Sequence, residues 1–326
     1  MITRRRLIVA AASSALAVPL QIAAQPKVRR IGFLGTALAS GYVHELNWIR
    51  AGLKKSGYEE GKNILIEYRW AEGSPERMRE IAAEFVALKV DAIVTHNTPG
   101  AMAAAKETSA IPIVMADGFD PVASGLATSL ARPGRNVTGS VSFVPEESAK
   151  RLELLNEAVP RMKRVAFLVS SQPLIVLEFT RKTLQSAAIS MKTELQEFVM
   201  RESSQLPEIF NGVERARVDA VLINNEPVLN SQFPVIAALA NVKRLPTAGN
   251  PNFVDAGGLL GYGADRQVLY TRAGYFVDRI FKGAKPGDIP FERASKFQLA
   301  VNLKTAKAIG IKLPQSVLAR ADKVIE

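Results

Sequence analysis

The spacing of hydrophobic positions switches repeatedly along most of the chain between a pattern typical of strands and a pattern typical of helices. Short apolar runs rich in β-branched residues, such as residues 31–34, predict buried strands. Between these runs, apolar residues recur every three or four positions and predict helices that pack through one face. In the first predicted helix these positions are Tyr42, Leu46, Ile49 and Leu53. This alternation predicts an α/β fold with parallel sheets and right-handed connections.

The strand pattern occurs twice. The second occurrence follows the first by about 130 residues and keeps the same order. The matching segments are residues 29–34 and 163–168, 90–94 and 218–222, and 111–114 and 245–249. With 326 residues, the chain is long enough for two cores. We therefore predict two α/β lobes of the same architecture.

Elements that follow the second repeat indicate that the chain crosses between the lobes more than once. A glycine-bracketed strand precedes Asp265, which is suited to cap a long helix, and a further strand and helix follow near residues 296–304. We predict a first lobe of residues 25–140 with 263–290 and a second lobe of residues 141–262 with 291–326. Several crossovers would form a hinge between them.

The first 24 residues differ from the rest of the chain. Arg4, Arg5 and Arg6 precede an uncharged, alanine-rich run that ends in small residues at Ala23 and Ala24. This pattern predicts a secretory signal peptide at residues 1–24, cleaved near Ala24, and a periplasmic mature protein. A membrane-spanning helix is the alternative, which Pro19 and several serines disfavour.

Composition excludes several kinds of site. The chain has no cysteine, which rules out disulfides, thiolate metal ligands and a cysteine nucleophile. Its two histidines, His44 and His96, are too few for a histidine metal cluster. The net charge of +11 comes from lysines and arginines spread among glutamates, a pattern typical of solvated helix faces. No metal, cofactor or nucleic acid is therefore expected.

Polar residues cluster directly after the predicted strands, at the edge where open α/β sheets bind ligands. Asp120-Pro121 and Thr98-Pro99 each resemble a cap followed by proline at the start of a helix, and Val122, Leu126 and Leu130 would face inward along the first of these. Such helix starts offer free N–H groups to a carboxylate. The predicted ligand-binding residues are Thr36, Thr95, Asn97, Thr98, Asp117, Asp120, Ser170, Ser171, Glu226, Asn250 and Asp265.

These residues differ in how strongly they indicate a ligand. Thr98 and Asp120 are equally explained as caps of their own helices. Asp117 interrupts an apolar strand end without an evident capping role, and we expect it to bind a ligand ammonium group. His96 is either a ligand contact or a packed residue. Phe119, Phe253 and Tyr262 are candidates for stacking on a ligand, with core packing as the alternative.

Catalytic motifs are missing from the sequence. It contains no Gly-x-Ser-x-Gly elbow, no phosphate loop and no dinucleotide fingerprint after the first strand. A binding protein is therefore favoured. The alternative is a two-lobed α/β enzyme in which Asp117 and Glu226 act as acid and base on a small metabolite.

Several linked motifs resemble those of ABC-transporter substrate-binding proteins of the tryptophan/tyrosine-type group. They lie at residues 57–58, 60–64, 66–71, 120–126, 130–139, 150–155 and 297–307, and so extend over the mature chain. Residues 170–173 depart from the pattern, since Ser170-Ser171-Gln172-Pro173 stands where an asparagine–proline turn is common.

The resemblance implies a type I periplasmic-binding-protein fold with three crossovers and a ligand between the lobes. It also implies a partner, an ABC permease in the inner membrane with its ATPase. We expect a monomeric exported receptor that closes on a small polar metabolite, such as an amino acid or a related carboxylate, without chemical conversion.

Overall fold

The computed structural model describes residues 28–142, 144–171 and 175–326. The predicted signal peptide lies outside these residues. Thirteen strands fall within the described part of the chain: β1 (Arg29–Gly35), β2 (Ile64–Trp70), β3 (Ala92–Thr95), β4 (Ile113–Gly118), β5 (Val137–Val141), β6 (Arg164–Ser170), β7 (Glu194–Met200), β8 (Ala220–Ile223), β9 (Thr247–Gly249), β10 (Leu260–Ala264), β11 (Glu292–Arg293), β12 (Phe297–Asn302) and β13 (Lys323–Ile325).

Twelve α-helices within the same described residues connect these strands. They are α1 (Val43–Lys55), α2 (Pro75–Ala87), α3 (Thr98–Glu107), α4 (Val144–Ala158), α5 (Ile175–Ser190), α6 (Leu206–Arg215), α7 (Pro227–Asn230), α8 (Phe233–Val242), α9 (Pro251–Asp255), α10 (Arg266–Phe281), α11 (Leu303–Ile309) and α12 (Gln315–Leu318). No helix among the described residues is both long and apolar enough to cross a bilayer.

Two sheets form the centres of two lobes. The first sheet has the order β11-β5-β4-β3-β1-β2, and all of its pairings are parallel. The second sheet has the order β13-β12-β10-β9-β8-β6-β7. It is parallel except between β10 and β12. Buried aliphatic and aromatic side chains on both faces of the central strands form the cores, as expected for sheets covered by helices.

The internal repeat is confirmed by the sheet order. Strands β1 to β5 lie in the same relative positions in the first sheet as β6 to β10 in the second. The pairs β1–β2 and β6–β7 even have the same length of seven paired residues. The predicted α/β fold of two lobes is therefore confirmed.

Between residues 28 and 326, the described elements place three crossings of the chain between the lobes. It leaves the first sheet after β5 to form α4, which packs on the second lobe. It returns between β10 and α10, since α10 packs against α1 of the first lobe. The third crossing runs from β11 to β12. The α1–α10 contact needs glycine, because a Cβ at Gly52 would lie 2.0 Å from the Thr271 carbonyl oxygen.

The predicted lobe limits differ from the strand pairing at all three crossovers. Val141 still belongs to β5 in the first sheet, although the predicted second lobe began at residue 141. Gly263 and Ala264 pair with β12 in the second sheet, although the prediction returned to the first lobe at residue 263. Glu292–Arg293 pairs with β5 in the first sheet, whereas the predicted second lobe resumed at residue 291. The short parallel strand extends the sheet edge before the chain crosses over. The exact limits of the lobes otherwise stay a prediction.

One expectation about the stretch after β4 was wrong. The strand itself ends at Gly118, in agreement with the Asp117-Gly118 turn signal in the sequence. No helix follows Asp120. A single turn ends at Gly125, whose φ of +72° is left-handed and stops helical continuation. Asp120 caps this turn by accepting hydrogen bonds from the backbone N–H groups of Val122 and Ala123.

The start of α3 also differs from the expectation. Its cap is Asn97 rather than Thr98, because the Asn97 side-chain oxygen accepts a hydrogen bond from the Gly100 N–H at 3.1 Å. By contrast, the predicted capping of α10 by Asp265 is confirmed by a bond from the Val268 N–H.

Candidate functional site

A cavity lies between the carboxyl ends of the two sheets. The free space inside it is about 70 Å³, and it continues into open solvent. Both lobes and two of the crossovers contribute to its walls. Its polar side chains are Tyr42, His96, Asn97, Thr98, Asp117, Ser142, Asn225, Asn230, Arg266 and Tyr270.

Arg266 is the central charge of this cavity. It is the first residue of α10, directly after the second crossover, and its side chain is only 8% exposed. A terminal nitrogen lies 3.4 Å from a Glu45 oxygen, and the other lies 3.9 Å from an Asp117 oxygen. It also donates a hydrogen bond to the Tyr270 hydroxyl at 2.9 Å. Two carboxylates therefore share one buried guanidinium.

The electrostatics of the cluster keep Arg266 charged. Burial by itself lowers the pKa of Arg266, but Tyr270, Glu45 and Asp117 raise it above its ordinary value. Burial raises the pKa of Asp117, while Arg266 and a hydrogen bond with Ser142 oppose this rise. Because Ser142 lies in the first crossover and Arg266 adjoins the second, Asp117 contacts two of the three connections between the lobes.

His96 is neutral and fixed in orientation. Its ring stacks on Tyr42 with centroids 4.2 Å apart, and its Nε2 lies 2.8 Å from the Thr36 hydroxyl. Burial, together with the charge of Arg266, lowers the pKa of His96 to about 3. Asn97 donates to the same hydroxyl oxygen, so the Thr36 proton is available to Nε2. In the arrangement in which Thr36 donates to Nε2, the ring proton of His96 lies on Nδ1.

Three polar atoms on these cavity residues lack a hydrogen-bond partner. They are Nδ1 of His96, Oδ1 of Asp117 and Nε of Arg266, all buried and without a partner among the described residues. Leaving such atoms unsatisfied costs free energy, on the order of 1–3 kcal/mol each. The nitrogens of His96 and Arg266 are donors, and the Asp117 oxygen is an anionic acceptor. Satisfying all three atoms therefore takes both a hydrogen-bond acceptor and a hydrogen-bond donor.

The second lobe faces this cluster with amide side chains. The Asn225 oxygen accepts hydrogen bonds from the Asn230 and Asn250 amides at 3.1 and 3.0 Å. Asn230 in turn forms a side-chain hydrogen bond with Tyr42 of the first lobe. The apolar part of the wall consists of Pro99, Phe119, Val144, Val176 and Pro227.

Three of the predicted ligand-binding residues line the cavity, namely Asn97, Thr98 and Asp117. The Thr98 hydroxyl oxygen accepts a hydrogen bond of 2.8 Å from the backbone N–H of Phe119. Thr36 lies behind the wall, where it holds His96. Thr95 is fully buried and donates to the Leu34 carbonyl.

The predicted residues of the second lobe are held away from the cavity. The Glu226 carboxylate accepts hydrogen bonds from the Ser170 hydroxyl and N–H and from the Asn224 amide. Burial raises the pKa of Glu226. The Ser171 N–H donates to the Met200 carbonyl. Asn250 caps α9 and supports Asn225 from behind.

Asp120 and Asp265 serve as caps. Asp120 lies beside a neighbouring cleft that includes Phe119 and Phe179. Asp265 caps α10 and lies 3.7 Å from the Lys296 amine. Of the candidate aromatics, Phe119 lines the cavity, whereas Phe253 packs on Phe233 in the core. Tyr262 stacks on Phe297.

Residues that the sequence did not single out complete the site, chiefly Arg266, Tyr270, Tyr42, Asn225 and Asn230. Arg266 did carry a local signal. It is a cation in the first turn of α10, where the helix dipole disfavours positive charge. Tyr42 and Tyr270 had no comparable signal in the sequence, because each occupies an inward position that is normal in an amphipathic helix.

The lobes touch each other around the cavity. The Phe119 and Phe179 rings lie 5.6 Å apart across the cleft. A Cβ on Gly41 would lie 3.0 Å from the Ser231 backbone, so the chains are close there as well. The Asn252 amide donates to Glu45 at 3.1 Å. The structure is therefore a closed arrangement of the two lobes.

Comparison with known proteins places this geometry in a family. The sequence profile of ABC transporter substrate-binding proteins matches residues 41–325. The chain belongs to this family. It is also similar to a tyrosine-binding protein of Clostridioides difficile, with 28% identity over 258 residues that cover 79% of this chain and 74% of that protein.

Solved structures give the same result. A conserved domain protein from Vibrio cholerae matches with a TM-score of 0.83 at 27% identity, over 91% of this chain and 100% of that one. An ABC domain from Streptococcus pneumoniae in complex with L-Trp gives 0.81 at 27% identity, over 91% and 99%. A ligand-free, open substrate-binding protein from Clostridium difficile gives only 0.65 at 25% identity, over 91% and 99%. The lower score agrees with the closed arrangement seen here.

The buried His96 makes stability depend on pH. Its pKa is about 3 in the folded protein against 6.5 ordinarily, so the unfolded chain binds the extra proton below about pH 6.5. Stability therefore falls as pH decreases from about 6.5 towards 3, by about 1.4 kcal/mol per pH unit. Between pH 7.5 and 5, wild type should lose about 2 kcal/mol more unfolding free energy than His96→Gln. Urea unfolding at both pH values measures this, and equal losses would contradict it.

Proposed function

We propose that this protein is an exported receptor that binds an aromatic L-amino acid, of the tryptophan or tyrosine type, between its lobes and delivers it to an ABC permease. One observation carries the proposal. The cavity holds an unpaired anionic acceptor on Asp117 and unpaired donors on Arg266 and His96. A zwitterion is the small ligand that satisfies both kinds of group at once.

The charges suggest how the ligand backbone binds. The ligand carboxylate takes the guanidinium of Arg266 and the Nδ1–H of His96, because charge-assisted bonds to arginine are strong and directional. The ligand ammonium group takes Asp117. Its charge offsets the burial that raises the pKa of Asp117, and so favours the ionised carboxylate.

The apolar wall suits an aromatic side chain. Phe119, Val144, Val176 and two prolines face the space beyond the charged cluster, and Tyr42 and Tyr270 border it. Aromatic rings bury a large area and pack favourably on other rings. The tyrosine-binding and tryptophan-bound relatives support this ligand class, since they share about 27% identity with this chain.

The location and partners follow from the same proposal. The arginine-containing leader at residues 1–24 would direct export to the periplasm and be removed near Ala24. The closed form would then be recognised by an inner-membrane permease that works with an ATPase. We propose that the receptor acts as a monomer.

A ligand screen tests the proposal. Tryptophan, tyrosine and phenylalanine should each raise the melting temperature by several degrees, because a ligand that binds only the folded state stabilises it. Glycine and indole-3-propionate are matched controls that lack the ring or the ammonium group, and should have a much smaller effect. Mass spectrometry of the recovered ligand should show no conversion. A shift by sugars but not by amino acids would reject the proposed ligand class.

The enzyme alternative has no support in the arrangement of its proposed groups. Asp117 lines the cavity, but the Glu226 carboxylate is occupied by Ser170 and Asn224 and does not line it. Asp117 and Glu226 therefore do not face a common substrate.

A further inference from the structure

We propose that Glu45 is a positioning residue that couples ligand binding to lobe closure through Asn252. This inference rests on the proposed function and goes beyond it, since Glu45 does not line the cavity. Glu45 lies in the first turn of α1, in the first lobe, and its side chain is 4% exposed. Asn252 lies in α9, in the second lobe.

One oxygen of Glu45 makes both of the relevant contacts. Oε1 lies 3.4 Å from the Arg266 guanidinium and accepts a hydrogen bond from the Asn252 amide at 3.1 Å. The first contact stays within the first lobe, because α10 packs on α1. The second joins the two lobes and can form only when they are together. Glu45 therefore touches the ligand-binding charge and the closing surface through the same atom.

The geometry of Asn252 is specific for this contact. Its backbone N–H is held by the side chain of Asn250, which caps α9 and also supports Asn225 at the cavity wall. A carboxylate partner requires the amide nitrogen, so the orientation of the Asn252 side chain is fixed. The donor is thus presented from a short helix that begins directly after β9.

Ligand binding changes the charge that Glu45 experiences. Without ligand, Glu45 and Asp117 share Arg266. A ligand carboxylate on Arg266 competes with Glu45 for the same guanidinium, whereas the ligand ammonium group compensates Asp117 and not Glu45. The hydrogen bond from the Asn252 side-chain amide to Glu45 then contributes more to the stability of the closed form. Closure is therefore more favourable in the occupied protein, which is the differential interaction that a ligand needs to shift a conformational equilibrium.

The absence of cysteine makes a direct distance measurement possible. Spin labels at Lys106→Cys on α3 and Lys182→Cys on α5, both exposed, report the separation of the lobes. Asn252→Ala in this background removes the interlobe donor. Asp255→Asn is the matched control, because Asp255 lies on the same helix but pairs with Lys323 of the second lobe.

We expect Asn252→Ala to shift the ligand-free distance distribution towards the open form. It should also weaken tryptophan binding about tenfold, mainly through faster dissociation. Asp255→Asn should leave both quantities unchanged. Glu45→Gln should weaken binding as well, and the double variant should bind no more weakly than the weaker single variant, because both changes remove one coupled interaction.

Two outcomes would overturn the inference. One is an Asn252→Ala protein with wild-type distances and affinity. The other is a variant whose ligand-free melting temperature falls while the distances do not change, which would indicate a purely structural role. Failure of wild type to bind any aromatic amino acid would instead count against the proposed function, and the ligand-free distances would still decide the role of Asn252.

Discussion

Replacing Asp117 by asparagine should weaken tryptophan binding about a hundredfold, which corresponds to about 3 kcal/mol. The variant keeps the shape of the side chain but removes the charge that faces the ligand ammonium group. The interaction is strong because Asp117 is buried, 8% exposed, in a region that water does not screen. Isothermal titration calorimetry at pH 7.5 measures the change in Kd.

The control for Asp117 lies three residues further along the chain, beyond the end of β4. Asp120→Asn changes a carboxylate that caps an exposed turn and does not line the cavity, so its Kd should match that of wild type. A second control changes the ligand. Indole-3-propionate lacks the ammonium group, and we expect Asp117→Asn to bind it at least as well as wild type does. Equal tryptophan affinity of wild type and Asp117→Asn would contradict the assigned role of Asp117.

Replacing Arg266 by lysine should weaken tryptophan binding roughly thirtyfold, or about 2 kcal/mol, although the positive charge remains. Lysine has no planar fork and no Nε, so it does not contact Glu45, Tyr270 and a ligand carboxylate together. The lysine variant is preferable to a neutral one. Removing the charge would leave Glu45 and Asp117 buried without compensation and would destabilise the fold by about 3–5 kcal/mol.

The matched control for Arg266 lies on the same helix. Arg272 makes two hydrogen bonds to Glu292 at 2.7 Å on the partly exposed face of α10. Arg272→Lys should therefore bind tryptophan as wild type does. If the two lysine variants had the same Kd, the proposed carboxylate contact at Arg266 would be rejected.

The relation between these two residues shows how far local sequence information extends. Asp117 was identified as a candidate because it ends an apolar strand and has no evident role as a helix cap. Arg266 was not, although a cation at the start of a helix is unusual. The two lie 3.9 Å apart in the fold but about 150 residues apart in the chain. No periodicity in the sequence records such a contact.

The second lobe shows a different limit of sequence-based prediction, which concerns the direction in which a side chain points. Ser170 ends β6 and Glu226 lies just after β8, at the sheet edge where ligand-binding residues occur. The sequence did not distinguish these two residues from those that line the cavity. The Ser170 hydroxyl donates a hydrogen bond to the Glu226 carboxylate, whereas Asn225, one position before Glu226, lines the cavity. Successive residues after a strand point in different directions, so the turn geometry decides which of them faces a ligand.

The sequence by itself determined the strands, most helices, the duplication of the lobes and the family. These features depend on local periodicity and on short motifs, which a single chain displays directly. The tertiary structure decided that the chain stops after one turn beyond Asp120, which strands pair at the sheet edges and which polar groups meet in the cavity. These outcomes depend on distant partners. The pattern of burial along a chain shows that a residue is covered, but it does not show which residue covers it.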